Sequence, residues 1–151
     1  MNRQVAGLVL FLLSGISGCK SPAKPEDQFV FVRCYRDMHA PFEPWLTKVS
    51  YEFSIPQPRT RNGKPILIST YESSDFDKTL SEDVGTNLHP DLIIVSSASQ
   101  IPQNLAISKE LKDAKDICPR QTPCLALIPP WVQGDQRDAT NLYIDFLLAH
   151  R

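Results

Sequence analysis

Phe29-Val30-Phe31-Val32-Arg33-Cys34-Tyr35-Arg36-Asp37 is the stretch on which the fold class turns. Between Gln28 and Arg33 the run Phe29-Val30-Phe31-Val32 is apolar, aromatic and β-branched without alternation, the pattern of a strand buried on both faces. Polarity then changes abruptly, so Cys34-Tyr35-Arg36-Asp37 reads as a loop at the carboxyl end of that strand. Beyond it Phe42, Trp45, Leu46, Val49 and Phe53 recur at helical spacing along one face, with Pro41 and Pro44 tolerable only in the first turn. A doubly buried strand followed by a one-faced helix opens a βαβ unit.

The same alternation continues toward the C-terminus. An exposed loop, Ile55 to Lys64, leads into a second strand, Pro65-Ile66-Leu67-Ile68-Ser69-Thr70. Ser73-Ser74-Asp75 then precede Phe76, Leu80 and Val84 at fourth-residue spacing, with Gly85 beyond, which predicts a helix with a serine cap and a glycine stop. A third strand, Asp91-Leu92-Ile93-Ile94-Val95-Ser96, runs out into Ser97-Ala98-Ser99, and a more polar helix is expected from Pro102 to Ala114. The fourth strand is Cys124-Leu125-Ala126-Leu127-Ile128, and Ala139, Leu142, Tyr143, Phe146 and Leu147 mark a final helix. Strands alternating with helices predict an α/β fold: three layers, a mostly parallel sheet of four or five strands, and helices on both faces.

The N-terminus has a different character. Arg3 precedes the apolar run Val5 to Leu13 and small residues up to Cys19, the layout of a signal peptide over residues 1–18. The apolar run is too short to span a bilayer as a helix. Ile16-Ser17-Gly18-Cys19 resembles the lipobox of bacterial lipoproteins, which implies lipid on Cys19 and a membrane anchor held by several acyl chains. An ordinary secretory signal is the alternative. Lys20, standing where an Asp is absent, resembles proteins sent to the outer membrane. Residues 19–27, with Pro22 and Pro25, read as a short tether, leaving 28–151 as a single α/β domain facing the periplasm or the exterior.

Composition narrows the partners. The net charge is −1 with acids and bases interspersed, so no basic stripe favours nucleic acid. Without Cys19, the odd set Cys34, Cys118 and Cys124 remains in an oxidising compartment. A local Cys118–Cys124 disulfide, a pairing of Cys34 with either, and three free thiols all stay open. The cysteine spacing and the scattered His39, His89 and His150 disfavour a metal site.

In an open parallel sheet ligands gather outside the carboxyl ends of the strands, which here carry Arg33 to Asp37, Ser69 to Ser74 and Ser96 to Ser99. Ser73 and Ser74 stand at a helix N-terminus, which suits capping as well as a polar ligand. Ser96, Ser97 and Ser99 equally suit a loop leaving a buried strand, and Arg33 and Asp37 a surface ion pair. Signs of an enzyme are thin: no G-x-S-x-G, no H-E-x-x-H, no phosphate-cradling loop, and six glycines in all. Asp75, Asp77, Glu82 and Asp83 read as a solvated helix face, and Trp131 as packing on the last helix or lying at the rim.

With these elements placed, the chain resembles one lobe of an extracellular solute-binding protein of the type II periplasmic-binding fold. The resemblance rests on the strand into Arg33-Cys34-Tyr35-Arg36-Asp37-Met38 with Pro41-Phe42 behind it, and on His89-Pro90-Asp91-Leu92-Ile93-Ile94-Val95-Ser96. The third stretch is the tail from Pro129-Pro130-Trp131 through Tyr143-Ile144-Asp145-Phe146-Leu147-Leu148, similar to bacterial binding proteins that include relatives fused to von Willebrand factor A domains. Carrying over the family's ligand loops points to Arg33, Tyr35, Asp37, Ser73, Ser74, Ser96 and Ser97. Family members insert a second lobe and close on ligand as a hinge, whereas only about 25 residues here separate Ser99 from Cys124. The resemblance therefore implies a non-enzymatic cell-envelope lipoprotein without cofactor, recognising a small polar or anionic solute or a partner protein. A transport-associated receptor that completes its cleft by dimerising or docking is the second expectation, and an unrecognised hydrolase the third.

Overall fold

A computed structural model describes residues 28–73, 75–83, 89–101, 114–120 and 122–151. The expected signal peptide, Cys19, the tether, Ser74, the glycine stop at Gly85 and nearly all of the helix expected from Pro102 lie outside the described residues. The strands are β1 (Val30–Asp37), β2 (Ile66–Ser73), β3 (Leu92–Val95), β4 (Lys115–Asp116) and β5 (Leu125–Leu127). The helices are α1 (Glu43–Ser54), α2 (Phe76–Asp83) and α3 (Gly134–Ala149), with a 3-10 turn at Ala98–Gln100.

The chain is an α/β protein with an open, mixed sheet in the order β2-β1-β3-β5-β4. β1 pairs in parallel with β2 from Val30↔Ile66 to Asp37↔Ser73, and in parallel with β3 from Cys34↔Leu92. Two sequence expectations change here. Cys34 to Asp37 are not a loop: β1 continues through them, because Cys34 and Tyr35 are apolar enough to be buried and the buried Arg36 finds an ion-pair partner in Glu43. Its guanidinium meets Glu43 Oε1 at 2.7 Å and Thr47 Oγ1 at 3.3 Å in the first turns of α1. The second change concerns the fourth expected strand, β5, which runs antiparallel to β3.

The cause lies in β4. This short strand pairs antiparallel with β5 and so runs in the same sense as β3, one place further out. The crossover from β3 therefore lands on β4, and the chain doubles back to insert β5 between them. The return is tight: Cys118 and Cys124 are joined by a disulfide with Cα atoms 5.4 Å apart, and Thr122 N–H donates to Pro119 O at 2.9 Å. β5 thus delivers the chain to the amino ends of the parallel strands, where α3 begins.

Burial follows the strand period of two. Val30, Val32 and Cys34 pack with Leu46, Val49 and Phe53 of α1 and with Ala139, Tyr143 and Leu147 of α3. The latter three sit at i, i+4 and i+8, one stripe of the helix. Tyr35, Ile93, Val95 and Leu127 pack instead with Phe76 and Leu80 of α2. Each fully buried leucine or isoleucine of these clusters withdraws a side chain worth about 2 kcal/mol from water. Where α1 meets α3, Ser50 Oγ donates to Leu46 O at 2.6 Å and shares a 2.5 Å hydrogen bond with the Tyr143 hydroxyl, so this buried polar pair is satisfied.

Candidate functional site

From β1 the chain moves to β2 on one side and then crosses to β3 on the other, so the order of connection reverses between β1 and β3. At such a switch point the outgoing loops diverge and leave a crevice at the carboxyl ends. Asp37 closes β1 there, and Ser96 and Ser97 follow β3. Ser73, the last residue of β2, stands in register with Asp37 on the same rim.

Gln100 ties the two sides together. Its Oε1 accepts the backbone N–H groups of Ser96 at 2.7 Å and Ser97 at 3.3 Å, and its Nε2 reaches Asp37 Oδ2 at 3.5 Å. The other Asp37 oxygen accepts the His39 N–H at 2.9 Å, and Ser97 Oγ lies 2.6 Å from Ser99 Oγ. Sequence reasoning passed over Gln100, although Ser97-x-x-Gln100 has the spacing at which a residue-three amide turns back on its cap. Asp37 is half-buried, whereas Ser97, Ala98 and Ser99 are exposed and Met38 is 41% exposed, so among the described residues the rim is an open ledge.

Two of the expected ligand residues lie elsewhere. Tyr35 is fully buried under α2, its ring stacked on Tyr71 at 4.9 Å and its hydroxyl donating to Asp83 Oδ2 at 2.5 Å. Burial, with Asp83 second, raises its pKa well above the ordinary tyrosine range. Asp83 is accordingly a structural partner and not only part of a solvated face. Arg33 sits four residues before Asp37, roughly 13 Å back along the strand. There its N–H donates to Asp91 Oδ2 at 2.8 Å and its guanidinium approaches the same oxygen at 3.8 Å. At the foot of α2 the residue immediately before the helix is Asp75, whose Oδ1 faces the Lys78 N–H at 3.4 Å, because β2 runs through Ser73. The cap is therefore the aspartate and not the expected serine.

Asp91 anchors the opposite, amino edge. It is 1% exposed, and Gln136 Nε2 in the first turn of α3 donates to it at 2.8 Å and also reaches Phe31 O. Burial raises the Asp91 pKa despite the opposing pull of the Arg33 N–H, Gln136, the Arg33 charge and His89. Trp131 packs on the α2 side of the sheet with its Nε1 donating to Pro90 O at 2.8 Å. Cys34, fully buried, has its thiol pushed up to about 12 by desolvation, which leaves it inert.

Among the described residues no group of three or more His, Cys, Asp or Glu side chains could hold a metal ion, and no helix is long and apolar enough to cross a membrane. No family model matches the chain, and no curated protein or solved structure matches it either.

Proposed function

We propose that this protein is a non-enzymatic lipoprotein of the cell envelope, anchored through Cys19, whose domain over residues 28–151 recognises a polar group of a small solute or of a partner protein. On this reading the domain is one three-layer lobe of the solute-binding type. The two core clusters, one under α1 and α3 and one under α2, support the layering. The observation that carries the proposal is the convergence of Asp37, Ser96 and Ser97 at the β1/β3 switch point, stapled by Gln100.

The geometry favours a ligand that brings N–H or O–H donors. The two backbone N–H groups that would otherwise cradle an anion are already taken by Gln100 Oε1, and the charged side chain at this edge is Asp37. Ser97 and Ser99 hydroxyls hydrogen-bond one another and not a histidine, which supports binding over nucleophilic chemistry. An open ledge buries little of a small molecule, and so suits a protruding group of a larger partner.

The test combines thermal-shift screening of a Cys19→Ser chain against sugars, amino acids and oxyanions with a photocrosslinking residue at position 97 in cells. The expected outcome is stabilisation by a donor-bearing solute, or an envelope-protein adduct, lost in Gln100→Ala and retained in Ser54→Ala. Stabilisation by oxyanions alone, or neither a shift nor an adduct, would overturn the reading.

A further inference from the structure

A second feature lies on the other side of the last helix. Arg137, Asn141 and Ile144 of α3 follow one another at four- and three-residue spacing and share a face. Opposite them is the β4–β5 hairpin, in which Lys115 is in register with Ala126, and Ile128 stands two residues beyond. Lys115, Ala126 and Ile128 therefore project from the same side of the sheet. Between helix and hairpin is a groove of about 250 Å³ lined by these six residues and Leu127. Ala126 and Ile144 are buried at its floor, Ile128 and Asn141 are half-buried, and Lys115 and Arg137 are exposed at its mouth. A wider opening of about 530 Å³ shares Lys115 and Asn141 with it.

The charges at this mouth are uncommitted. Neighbouring cations are engaged: Lys64 with Asp135 at 3.1 Å, Arg61 with Asp138 at 3.9 Å and Arg59 with the Gly63 carbonyl at 2.7 Å. The side chains of Lys115 and Arg137 have no such partner among the described residues. Among the described residues no acidic residue lines the narrow groove, although Asp138 and Asp145 line the wider opening beside it and the chain as a whole has net charge −1. Two free cations and an amide over an apolar floor match a head that is negative and a body that is hydrocarbon.

We infer that this groove binds a small organic anion with an apolar body, such as a medium-chain carboxylate. Lys115 and Arg137 hold the carboxylate, Asn141 donates its amide, and the hydrocarbon lies on Ala126, Ile128 and Ile144. The site is separate from the carboxyl rim and stands whether or not the rim binds anything.

Isothermal titration calorimetry of the Cys19→Ser chain with octanoate, octylammonium and acetate tests it. Octanoate binds at one site, while octylammonium, with the wrong charge, and acetate, without the hydrocarbon, bind at least about tenfold more weakly. Replacing both cations, Lys115→Gln with Arg137→Gln, costs octanoate about tenfold or more in affinity. Lys48→Gln on α1 binds like the parent. Both replaced side chains are exposed, so the melting temperature stays with the parent's; should the double variant fail to fold, Lys115→Gln alone decides. Equal binding of octanoate and octylammonium, parent-like binding by the cation variant, or no octanoate binding at millimolar concentration each overturn the inference. Flotation with phosphatidylglycerol vesicles is the remaining arm. Vesicle binding lost in the cation variant while octanoate fails to bind would assign the two cations to a lipid surface, and the groove would not be a site for a free acid.

Discussion

Asp91 is a buried carboxyl whose neighbours do not fully offset its desolvation, so its proton is held more tightly in the fold than in the open chain. The sign of the consequence follows from linkage. A raised carboxyl contributes stability that is complete below its unfolded value, near 3.8, and is lost as pH rises through the higher folded value. Asp91→Asn keeps an acceptor for the Arg33 N–H and removes the charge. Urea unfolding at stepped pH should therefore show the variant gaining on the parent as pH rises through that window. A gain that shrinks with rising pH would mean that the Arg33 contact outweighs burial. None of this was visible in the chain, where Asp91 read as the start of a strand. The same holds for Gln100 and Gln136: a long amide reaching across two loops leaves no periodic trace.

At the scale of elements, legibility followed length and period. α1 and α3 were readable because their apolar residues repeat at helical spacing over several turns, whereas of β1 only the apolar run was legible and its last four residues read as a loop. β5 was found as a strand but not its direction, since three apolar residues carry no sense of up or down. β4, two exposed residues, has no apolar signature at all. What sets the hairpin is the covalent link between Cys118 and Cys124, six residues apart. In the chain-entropy picture, closing so short a loop is worth about 2 kcal/mol, drawn chiefly from the unfolded state. Cys118→Ser with Cys124→Ser should lower denaturant stability by about that amount while leaving the β1–β2 register and far-ultraviolet spectrum in place. A loss near zero would show that β5 holds its position without the link.

At the scale of the whole molecule, the proposed anchor and the described domain meet at Gln28, just before β1. Expressed in bacteria, the full chain is expected in the membrane fraction, labelled by a palmitate analogue, and Cys19→Ser is expected to lose both the label and the partitioning. An unlabelled chain with Cys19 as a plain thiol would favour ordinary secretion. Among the described candidate residues, Asp37, Ser73, Ser96 and Ser97 reach the rim together, whereas Arg33 and Tyr35 lie within β1, which is four residues longer than its apolar run.

Cys34 has a bearing on how such a chain matures. Its sulfur lies in the interior at the level where β1 meets both neighbours, out of contact with solvent. Cys118 and Cys124 are neighbours along the chain and encounter each other long before either encounters residue 34. Oxidation therefore picks the correct partners by proximity, and the closing core then locks the leftover thiol away from exchange. With Cys19 carrying lipid, as proposed, Cys34 is the leftover thiol, ordinarily an invitation to scrambling and to intermolecular linkage, and it becomes harmless as soon as the sheet has formed.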